Sequence, residues 1–411
     1  MPPNSSGYLA VRAGSRVLTV NGGSSSIKFA LFEAGDPPRR LIGGAVERVG
    51  LADAFLRAAG PDRPDEWRPL PGGRVAGLFE WLDGLGELAR VAAVGHRVVH
   101  GGPAHFDPQP VTPELLADLR AAVPLDPAHL PAEIRLIEAL ALRLPGVPQV
   151  VCFDTAFHRN LPTAARLLPI PRRYAAGLHR YGFHGLSYAY LLEELERQAG
   201  TETAHGRVVL AHLGSGASMA AVREGQCVDT TMGLTPTGGL VMGTRTGDLD
   251  PGVLVYLLRS EKLSADDLER LVNRESGLLG VSETSPDLRD LLARQGTDPR
   301  AAEAVELFCY QARKWVGALA AALGGLDTLV FAGGVGENAA EVRTRICNGL
   351  GFLGVRLDDA RNDAGAGLIS ADGGSCAVRV IRTDEELMIV RAVLKVLGSP
   401  PTPALEPTAD A

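Results

Sequence analysis

Several features that mark large classes of protein are absent from this sequence of 411 residues. Basic residues do not predominate, since 41 Lys and Arg stand against 48 Asp and Glu, and only 5% of the residues are aromatic. No basic stretch carries aromatic residues on which bases could stack, so we predict no nucleic-acid partner. No run approaches the roughly 20 apolar residues of a membrane span, and residues 1–16 lack the apolar segment of a secretory signal. We therefore expect a cytoplasmic protein with no membrane partner.

Cysteine is also scarce, and its spacing argues against the usual cysteine chemistry. The five cysteines form no C-x-x-C pair and no metal-ligand pattern. They are Cys152, Cys227, Cys309, Cys347 and Cys376. We predict that they are reduced and mostly buried, as in a cytosolic protein.

The remaining composition is that of a globular α/β protein. Apolar residues make up 45% of the chain and charged residues 22%, which is ordinary for a folded protein. The length exceeds what a single hydrophobic core usually supports, so we predict two domains. Stretches with strand and helix patterns alternate, which indicates the α/β class. The Pro-rich tail at residues 399–411 has no periodicity, and we predict that it is disordered.

Three glycine-rich segments are the main landmarks. Residues 17–32 and residues 208–222 each read as an apolar strand, a Gly/Ser turn and a second apolar strand. A phosphate loop of the Walker type, or a Rossmann loop, needs a helix after its glycines, so both are excluded here. The two hairpins indicate an internal duplication, with two similar halves facing one another across a cleft and each offering backbone N–H groups to a phosphate. In the third segment, residues 328–338, the glycines precede a helical pattern at 339–350, whose N-terminus could bind an anion or a nucleotide.

Helical periodicity is evident in six further places. We predict helices at residues 113–122, 132–142, 187–198, 264–273, 301–323 and 384–397. The last of these opens with acidic residues at 384–386, as helix starts often do.

The first hairpin carries most of the parts of a phosphate clamp. Its amide, hydroxyl, cationic and backbone N–H groups come from Asn21, Gly22, Gly23, Ser24, Ser25, Ser26 and Lys28. A tight turn with no ligand explains the Asn and Gly residues equally well, so this segment alone does not decide.

Polar side chains cluster at four further places. Arg97 follows an apolar strand, where open α/β sheets bind ligands, and it could grip a carboxylate or form a surface ion pair. The neighbouring His96, His100 and His105 fit a core role as well as a site role. Asp154 and His184 each stand among aromatic residues, which is costly without a partner or a function. Arg245 lies in a long irregular segment, 233–251, of the kind that usually serves function, and it would suit a transferring phosphoryl group.

Taken together, these motifs resemble the acetate kinase family, within the superfamily that includes sugar kinases and actin. Eight segments occur in family order between residues 17 and 397, namely NGGSSSIK, GHRVVHGG, FDTAFH, RYGFHGLS, HLGSGAS, GLVMGTRTGDLDPG, FAGGVGEN and TDEEL. The resemblance implies two duplicated ribonuclease-H-like α/β domains with an active site in the cleft between them. It also implies an N-terminal domain of residues 17–155 with 384–398, a nucleotide-binding domain of residues 156–383, and a homodimer.

The resemblance also implies roles for individual residues. Arg97, His129, Asp154, His184 and Arg245 would be catalytic, with Arg97 binding the acyl carboxylate. Val99, Phe183 and Pro236 would form the pocket for the acyl methyl group. Asn21 and Glu385 would hold Mg²⁺ or Mn²⁺. Contacts to ATP would come from Lys28, His212, Gly214, Ser215, Gly216, Asp287, Leu288, Arg289, Gly334, Val335, Gly336, Glu337 and Asn338.

Some positions depart from the family pattern. Ser215 and Leu130 each replace an asparagine, and Thr237-Gly238 replaces a bulkier acidic pair. Ala128 stands where a leucine is usual, which favours a roomier acyl pocket. One methylene in such a pocket is worth only about 1–3 kcal/mol, so propionate or butyrate are alternatives to acetate. A non-catalytic nucleotide-binding member of the superfamily is a further alternative, motivated by Ser215 and Leu130.

A carboxylate acceptor makes the predicted chemistry simple. A carboxylic acid with a pKa of about 4.3 is ionised at neutral pH and needs no general base. The obstacle is the approach of this anion to a negatively charged γ-phosphate, so charge neutralisation and alignment should dominate. We therefore expect direct in-line transfer from ATP, with Asp154 orienting an arginine or a metal-bound water and Arg245 stabilising the phosphoryl group.

Overall fold

The structure is a computed structural model that describes residues 11–23, 26–49, 53–70 and 75–398. Internal contacts divide the chain into two compact units: unit 1, within Met1–Ala156 and Asp384–Ala411, and unit 2, Phe157–Thr383. Within the described ranges, no helix is both long enough and apolar enough to cross a membrane. Ser24 and Ser25 of the predicted phosphate clamp, and the tail predicted to be disordered, lie outside these residues.

Unit 1 contains a sheet of eight strands. These are β1 (Arg16–Gly22), β2 (Ser26–Glu33), β3 (Arg39–Glu47), β4 (Phe55–Gly60), β5 (Arg63–Pro69), β6 (Val91–Val98), β7 (Gln109–Pro110) and β8 (Gln149–Phe153). They lie in the order β5-β4-β3-β2-β1-β6-β8-β7. The strands β1 to β5 form an antiparallel meander, whereas β6 is parallel to both β1 and β8. Every residue of β8 is buried, as expected for a strand covered on both faces.

Unit 2 contains a sheet of five strands. These are β9 (Val208–Leu213), β10 (Ala217–Arg223), β11 (Gln226–Thr230), β12 (Thr328–Ala332) and β13 (Ala377–Val380), in the order β11-β10-β9-β12-β13. The first three strands are antiparallel neighbours, and β12 is parallel to both β9 and β13. The β10–β11 turn has positive φ at both Glu224 (55°) and Gly225 (73°), which suits a tight two-residue hairpin.

The two sheets share one plan. In each sheet, this plan consists of three antiparallel strands and, later in the chain, two strands that run parallel to the first. Numbered in chain order, these five strands lie side by side in the order third, second, first, fourth, fifth. In unit 1 these are β3-β2-β1-β6-β8, and in unit 2 they are the whole sheet. The predicted duplication of ribonuclease-H-like α/β units is therefore confirmed.

The helices lie between the strands and after the last strand along the chain. They are α1 (Val75–Gly84), α2 (Pro113–Ala122), α3 (Leu130–Arg143), α4 (Thr163–Arg166), α5 (Gly185–Ala199), α6 (Thr201–His205), α7 (Pro251–Ser260), α8 (Ala265–Arg270), α9 (Gly277–Ser282), α10 (Leu288–Arg294), α11 (Pro299–Leu323), α12 (Gly333–Asn338), α13 (Ala340–Cys347), α14 (Asp359–Asp363) and α15 (Glu385–Leu397). Of these, α1, α2, α3 and α15 belong to unit 1 and the others to unit 2.

Helix α15 returns to unit 1 and packs on β6, an interior strand of the sheet. Gly95 of β6 makes this possible, because a methyl group there would lie 2.4 Å from Ile389 and 2.7 Å from Val393 of the helix. Only glycine allows so close an approach of helix and strand. The contact fixes where Glu385, the first residue of α15, lies in unit 1.

Each predicted helix is found to within a few residues, with two differences, whereas several observed helices, including α1, α7 and α10, were not predicted. The segment predicted as one helix at 264–273 is α8 followed by a π-helical turn, Leu271–Glu275. The glycines of the third segment are themselves helical, since they form α12. The side chain of Glu337 accepts a hydrogen bond from the N–H of Gly333 at 2.9 Å, which stabilises the first turn of this short helix.

Candidate active site

Arg97 and Asp154 form a buried ion pair in unit 1. Arg97 lies near the carboxyl end of β6, and Asp154 directly follows the neighbouring parallel strand β8. The Arg97 side chain is 13% exposed and that of Asp154 is fully buried. Nε and Nη2 of Arg97 donate to the same oxygen, Asp154 Oδ2, at 3.0 and 2.5 Å. The predicted position of Arg97 at the end of an apolar strand is confirmed, and its partner is a buried carboxylate.

Hydrogen bonds extend from this pair to Asn21 and Glu385. Arg97 Nη1 donates to Asn21 Oδ1 at 3.1 Å, and Asn21 Nδ2 donates to Glu385 Oε2 at 2.7 Å. Asn21 and Glu385 are both buried, at 4% and 7% exposure. Four residues predicted for the site therefore form one hydrogen-bonded group. They are Asn21, Arg97, Asp154 and Glu385.

The charge of Arg97 is strongly favoured by this environment. Burial by itself lowers the pKa of the guanidinium, but the carboxylates of Asp154 and Glu385 raise it, and the net shift is upward. Three of its five N–H groups donate to Asp154 and Asn21. The remaining two have no hydrogen-bond acceptor among the described residues, so they can donate to an anion.

Lys28 lies beside this group on the first hairpin. It pairs directly with Asn21 in the β1–β2 ladder, so both side chains project from the same face of the sheet. Unlike Asn21, Lys28 is exposed. The structure therefore puts the predicted phosphate cation next to the predicted metal ligand.

His129 and Glu133 define a second buried group in unit 1, at the start of α3. His129 Nδ1 lies 2.9 Å from Asp126 Oδ1. Glu133, which sequence reasoning missed, accepts from the backbone N–H of Val99 at 3.1 and 3.3 Å. Burial and the negative charge of Asp126 raise the pKa of Glu133 well above its usual value. Its spacing of four residues from His129 on a helix was the only available signal.

Leu130 has no part in this group. It is fully buried and belongs to a hydrophobic cluster with Val98, Ile134 and Phe153. The leucine that stands here in place of the usual asparagine is therefore part of the hydrophobic core.

In unit 2, His184 adopts an unusual backbone conformation. Its φ of 58° and ψ of 27° are left-handed, and it directly precedes α5. Such a conformation is rare for a non-glycine residue and often marks a functional position. The ring stacks on His212, with centroids 4.4 Å apart and 20° between the planes. His184 Nδ1 lies 2.8 Å from the Ser218 hydroxyl.

The turn of residues 214–216, which follows β9, faces these rings and Arg245. A methyl group added to Gly216 would lie 3.5 Å from His184 Nε2 and 3.8 Å from Arg245 Nη1. Glycine thus leaves space between an imidazole and a guanidinium. The carbonyl of Ser215 accepts from the N–H of Gly243 at 3.1 Å, which ties the turn to the segment that carries Arg245.

Arg245 is also held next to the predicted pocket residue Pro236. Its Nη1 donates to the Pro236 carbonyl at 3.1 Å. Pro236 and Phe183 are both buried. Within unit 2, the structure therefore assembles His184, His212, Arg245 and the 214–216 turn, with Pro236 beside them.

The remaining predicted nucleotide contacts belong to two other parts of unit 2. Glu337 is engaged by backbone groups, because it also accepts from the N–H of Thr383 at 3.2 Å. Asp287 caps α10 by accepting from the N–H of Arg289 at 2.9 Å, and their ion pair lowers the pKa of Asp287. The start of α12 adjoins the 214–216 turn, since a methyl group on Gly214 would lie 3.9 Å from the N atom of Gly334. The nucleotide role of Asp287 and Arg289 stays a prediction.

Fold and side chains together define a phosphotransferase of the duplicated ribonuclease-H-like class. The model of the Acetokinase family matches residues 16–391, and the chain belongs to this family. It is 48% identical to an acetate kinase of Rhodopseudomonas palustris over 393 residues, which cover 92% of this chain and 98% of the relative. It is 42% identical to a propionate kinase of Citrobacter rodentium, covering 93% and 96%. The crystal structure of Porphyromonas gingivalis acetate kinase is similar, with a TM-score of 0.82, 37% identity and coverage of 93% and 100%.

Proposed function

We propose that this protein transfers the γ-phosphoryl group of ATP to acetate, reversibly, and that acetyl phosphate is the product. The observation that carries the proposal is the state of Arg97. Its guanidinium is largely buried, with the side chain 13% exposed, has a pKa raised by surrounding carboxylates and has two N–H groups left to donate. Two N–H donors on one guanidinium can bind the two oxygens of a carboxylate.

Asp154 fits an orienting role better than that of a general base. Acetate is already ionised near neutral pH, so no proton has to be removed from it. Asp154 is engaged by two N–H groups of Arg97 on one oxygen, and this pair fixes the plane of the guanidinium. Correct alignment of a bound reactant can lower the barrier by several kcal/mol.

His184, Arg245 and the 214–216 turn would act on the phosphoryl group. They supply an imidazole, a guanidinium and backbone N–H groups near one glycine. The transferring group carries its negative charge on three equatorial oxygens, and preorganised donors stabilise that charge. We propose direct in-line transfer, with no phosphorylated enzyme intermediate, because the acceptor anion is itself the nucleophile. His129 is proposed to assist from the acyl side.

Asn21 and Glu385 are proposed to hold Mg²⁺, with Mn²⁺ as a substitute. The described residues contain no cluster of three or more His, Cys, Asp or Glu side chains suited to a metal ion. Magnesium in a kinase is usually held by one or two carboxylates, waters and the phosphates of the nucleotide. When bound, the ion would neutralise charge on those phosphates. We likewise propose that Lys28 and the other residues predicted to contact ATP bind the nucleotide.

Propionate is the second candidate acceptor. A relative of this chain is a propionate kinase, and half-buried Ala128 stands where the family usually has leucine. Since one methylene changes selectivity only modestly, we propose acetate as the main substrate, with propionate accepted and butyrate the limit. The buried ion pair and the assembled imidazoles argue against a non-catalytic protein.

We also propose that the protein is a homodimer and that α7 contributes to the interface. This helix has the sequence PGVLVYLLRS but contains no buried residue. Tyr256 is 66% exposed, and Val253, Val255 and Leu258 are also exposed. A helix that exposes several large apolar side chains in this way usually marks an interaction surface. The five cysteines are all unpaired and buried, which supports our proposal of a cytoplasmic location.

A hydroxamate assay for acyl phosphate tests the function. Purified protein is incubated with ATP, Mg²⁺ and acetate, propionate or butyrate. We expect acetate to give the highest kcat/KM and an Arg245→Ala variant to lose about 10³-fold or more in kcat. Arg361→Ala, which removes an exposed ion pair in the same unit, is the control and should behave as wild type. Absence of acyl phosphate with all three acids, or full activity of the Arg245 variant, contradicts the proposal.

A further inference from the structure

The two stacked histidines of unit 2 are held in the same way. His184 Nδ1 lies 2.8 Å from the hydroxyl of Ser218, and His212 Nδ1 lies 2.8 Å from the hydroxyl of Ser187. Both serines are fully buried. Each ring therefore has one nitrogen committed to a serine away from solvent.

Each serine in turn meets a second hydroxyl. Ser218 Oγ lies 2.5 Å from Tyr188 Oη, and Ser187 Oγ lies 2.8 Å from Thr383 Oγ1. A serine has a single hydrogen to donate but can accept as well. A phenol is a stronger acid than an alcohol, and a neutral imidazole nitrogen is a stronger acceptor than either oxygen. The favoured order is therefore that Tyr188 donates to Ser218 and Ser218 donates to His184.

The other nitrogens of both rings face the 214–216 turn. A methyl group on Gly216 would lie 3.5 Å from His184 Nε2, and one on Gly214 would lie 4.0 Å from His212 Nε2. Arg245 Nη1 borders the same position at Gly216. The Nε2 edges of the two rings are thus directed at the turn that we propose to bind phosphates.

We propose that Tyr188 with Ser218, and Thr383 with Ser187, are positioning pairs that hold His184 and His212 as neutral imidazoles with the proton on Nε2. Both rings then present an N–H donor at the 214–216 turn. This inference rests on the proposed function only in naming phosphate oxygens as the acceptors. With the opposite tautomer, each ring would direct a lone pair at an anion and repel it.

The stacking of the rings supports the neutral state. Two imidazolium rings with centroids 4.4 Å apart would repel one another. Neutral rings can still stabilise a phosphoryl group through their N–H dipoles, and Arg245 supplies the full positive charge. A fixed donor in a water-poor site is worth about 10²–10³ in kcat.

The test is to read the tautomer directly by long-range proton–nitrogen NMR of 15N-histidine-labelled protein without ligands. His184→Gln and His212→Gln variants assign the two ring signals. We expect wild-type protein at pH 8 to show both rings neutral and protonated on Nε2. Ser218→Ala should convert His184 to a mixture of tautomers and leave His212 unchanged, whereas Ser187→Ala should do the reverse. Tyr188→Phe should have a weaker effect on His184.

Kinetics of the same variants give a second readout. Ser218→Ala should lower kcat in proportion to the fraction of His184 that carries its proton on Nδ1, while the KM for ATP changes little, because the ring stays in place but loses its donor for part of the time. Thr230→Val removes another buried hydroxyl from the same sheet, one that bonds to the Met219 carbonyl and to neither imidazole. This control should keep the wild-type tautomers and kcat.

The outcomes separate this inference from the proposed function. A wild-type spectrum with His184 protonated on Nδ1, or protonated on both nitrogens at pH 8, overturns the inference even if acetyl phosphate is formed. A spectrum with both Nε2–H tautomers that respond to their own serines supports it even in a protein that phosphorylates no acid. Equal kcat values for Ser218→Ala and Thr230→Val would also count against it.

Discussion

Asp154 accepts two hydrogen bonds from Arg97 on one oxygen, at 3.0 and 2.5 Å, in a site where the carboxylate is fully buried. Desolvating a buried ion pair costs free energy, and so does removing one of its partners. Such a pair is therefore weak evidence for a gain in stability, and we assign it to orienting the Arg97 guanidinium. In the proposed reaction, Asp154 sets the plane in which Arg97 meets the substrate carboxylate.

The first prediction concerns Asp154→Asn. Asparagine can still accept one hydrogen bond but no longer balances the guanidinium charge, so we expect kcat/KM for acetate to fall about 100-fold. The shape of the pH profile should match that of the wild type, because Asp154 takes no proton in the reaction. Asp118→Asn, at an exposed carboxylate paired with His105 in the same unit, is the matched control. Loss of the acidic limb of the kcat/KM profile in Asp154→Asn would instead identify a general base.

The second prediction concerns Gly216→Ala. The added methyl group would meet only ordinary van der Waals contacts, at 3.5 Å or more, so the protein should fold normally. It would nevertheless occupy the space between His184 Nε2 and Arg245 Nη1. We therefore expect kcat to fall by about 10²-fold or more, with a thermal midpoint close to wild type.

Gly317→Ala is the control for that substitution. Gly317 lies inside α11, and a methyl group there meets nothing within 4 Å. Activity should be unchanged, and the free energy of unfolding should rise by about 0.5–1 kcal/mol, because glycine is a poor helix former. Wild-type activity in Gly216→Ala would show that the space in front of the turn is not used.

The third prediction is a dependence of stability on pH through Glu133. Burial and the charge of Asp126 raise the pKa of this carboxyl in the folded protein. The folded state therefore favours the protonated form, and this contribution is present below the unfolded pKa and is lost as pH rises through the folded pKa. Glu133→Gln mimics the protonated form and can still accept from the N–H of Val99. Its free energy of unfolding should exceed that of wild type at pH 8, and the difference should shrink at acidic pH.

Urea denaturation between pH 5 and pH 8.5 measures this effect. Glu138→Gln, on the same helix but paired with Arg120 at the surface, should change stability by less than about 1 kcal/mol at any pH. A Glu133→Gln variant that is less stable than wild type at pH 8 would mean that Glu133 is ionised in the folded protein and stabilised by Arg97.

Local sequence patterns predicted the elements well because their causes are local. The hairpin of β1 and β2 follows from alternating apolar residues on both sides of a Gly/Ser turn. Helix α2 begins and ends as predicted, since Thr112 caps the N–H of Leu115 and Pro113 occupies the first turn. The position of Arg97 near the end of a parallel strand was predicted correctly, and ligand groups often follow such strands.

The contacts that matter most for the site are not local, and the sequence could not predict them without the family resemblance. Asn21 and Glu385 bond across 364 positions of the chain. Ser218 and Tyr188 were missed because a buried hydroxyl has no distinctive pattern, and only the β9–β10 pairing and the first turn of α5 bring them to His184. The helical glycines of α12 were unexpected because Glu337 stabilises them through its side chain.

The last prediction concerns self-association through α7. Tyr256 is the most exposed large apolar residue of α7, at 66% exposure. Replacing it with Glu would place a charge in the proposed interface and leave the monomer fold intact, since the side chain packs into no core. We expect wild-type protein to sediment as a dimer and Tyr256→Glu as a monomer at micromolar concentration, because an interface cannot bury an unpaired charge cheaply. Phe352→Glu is the control, as Phe352 is 78% exposed in a different part of unit 2, and it should remain dimeric. A dimer that tolerates Tyr256→Glu but is dissociated by Phe352→Glu would move the interface away from α7.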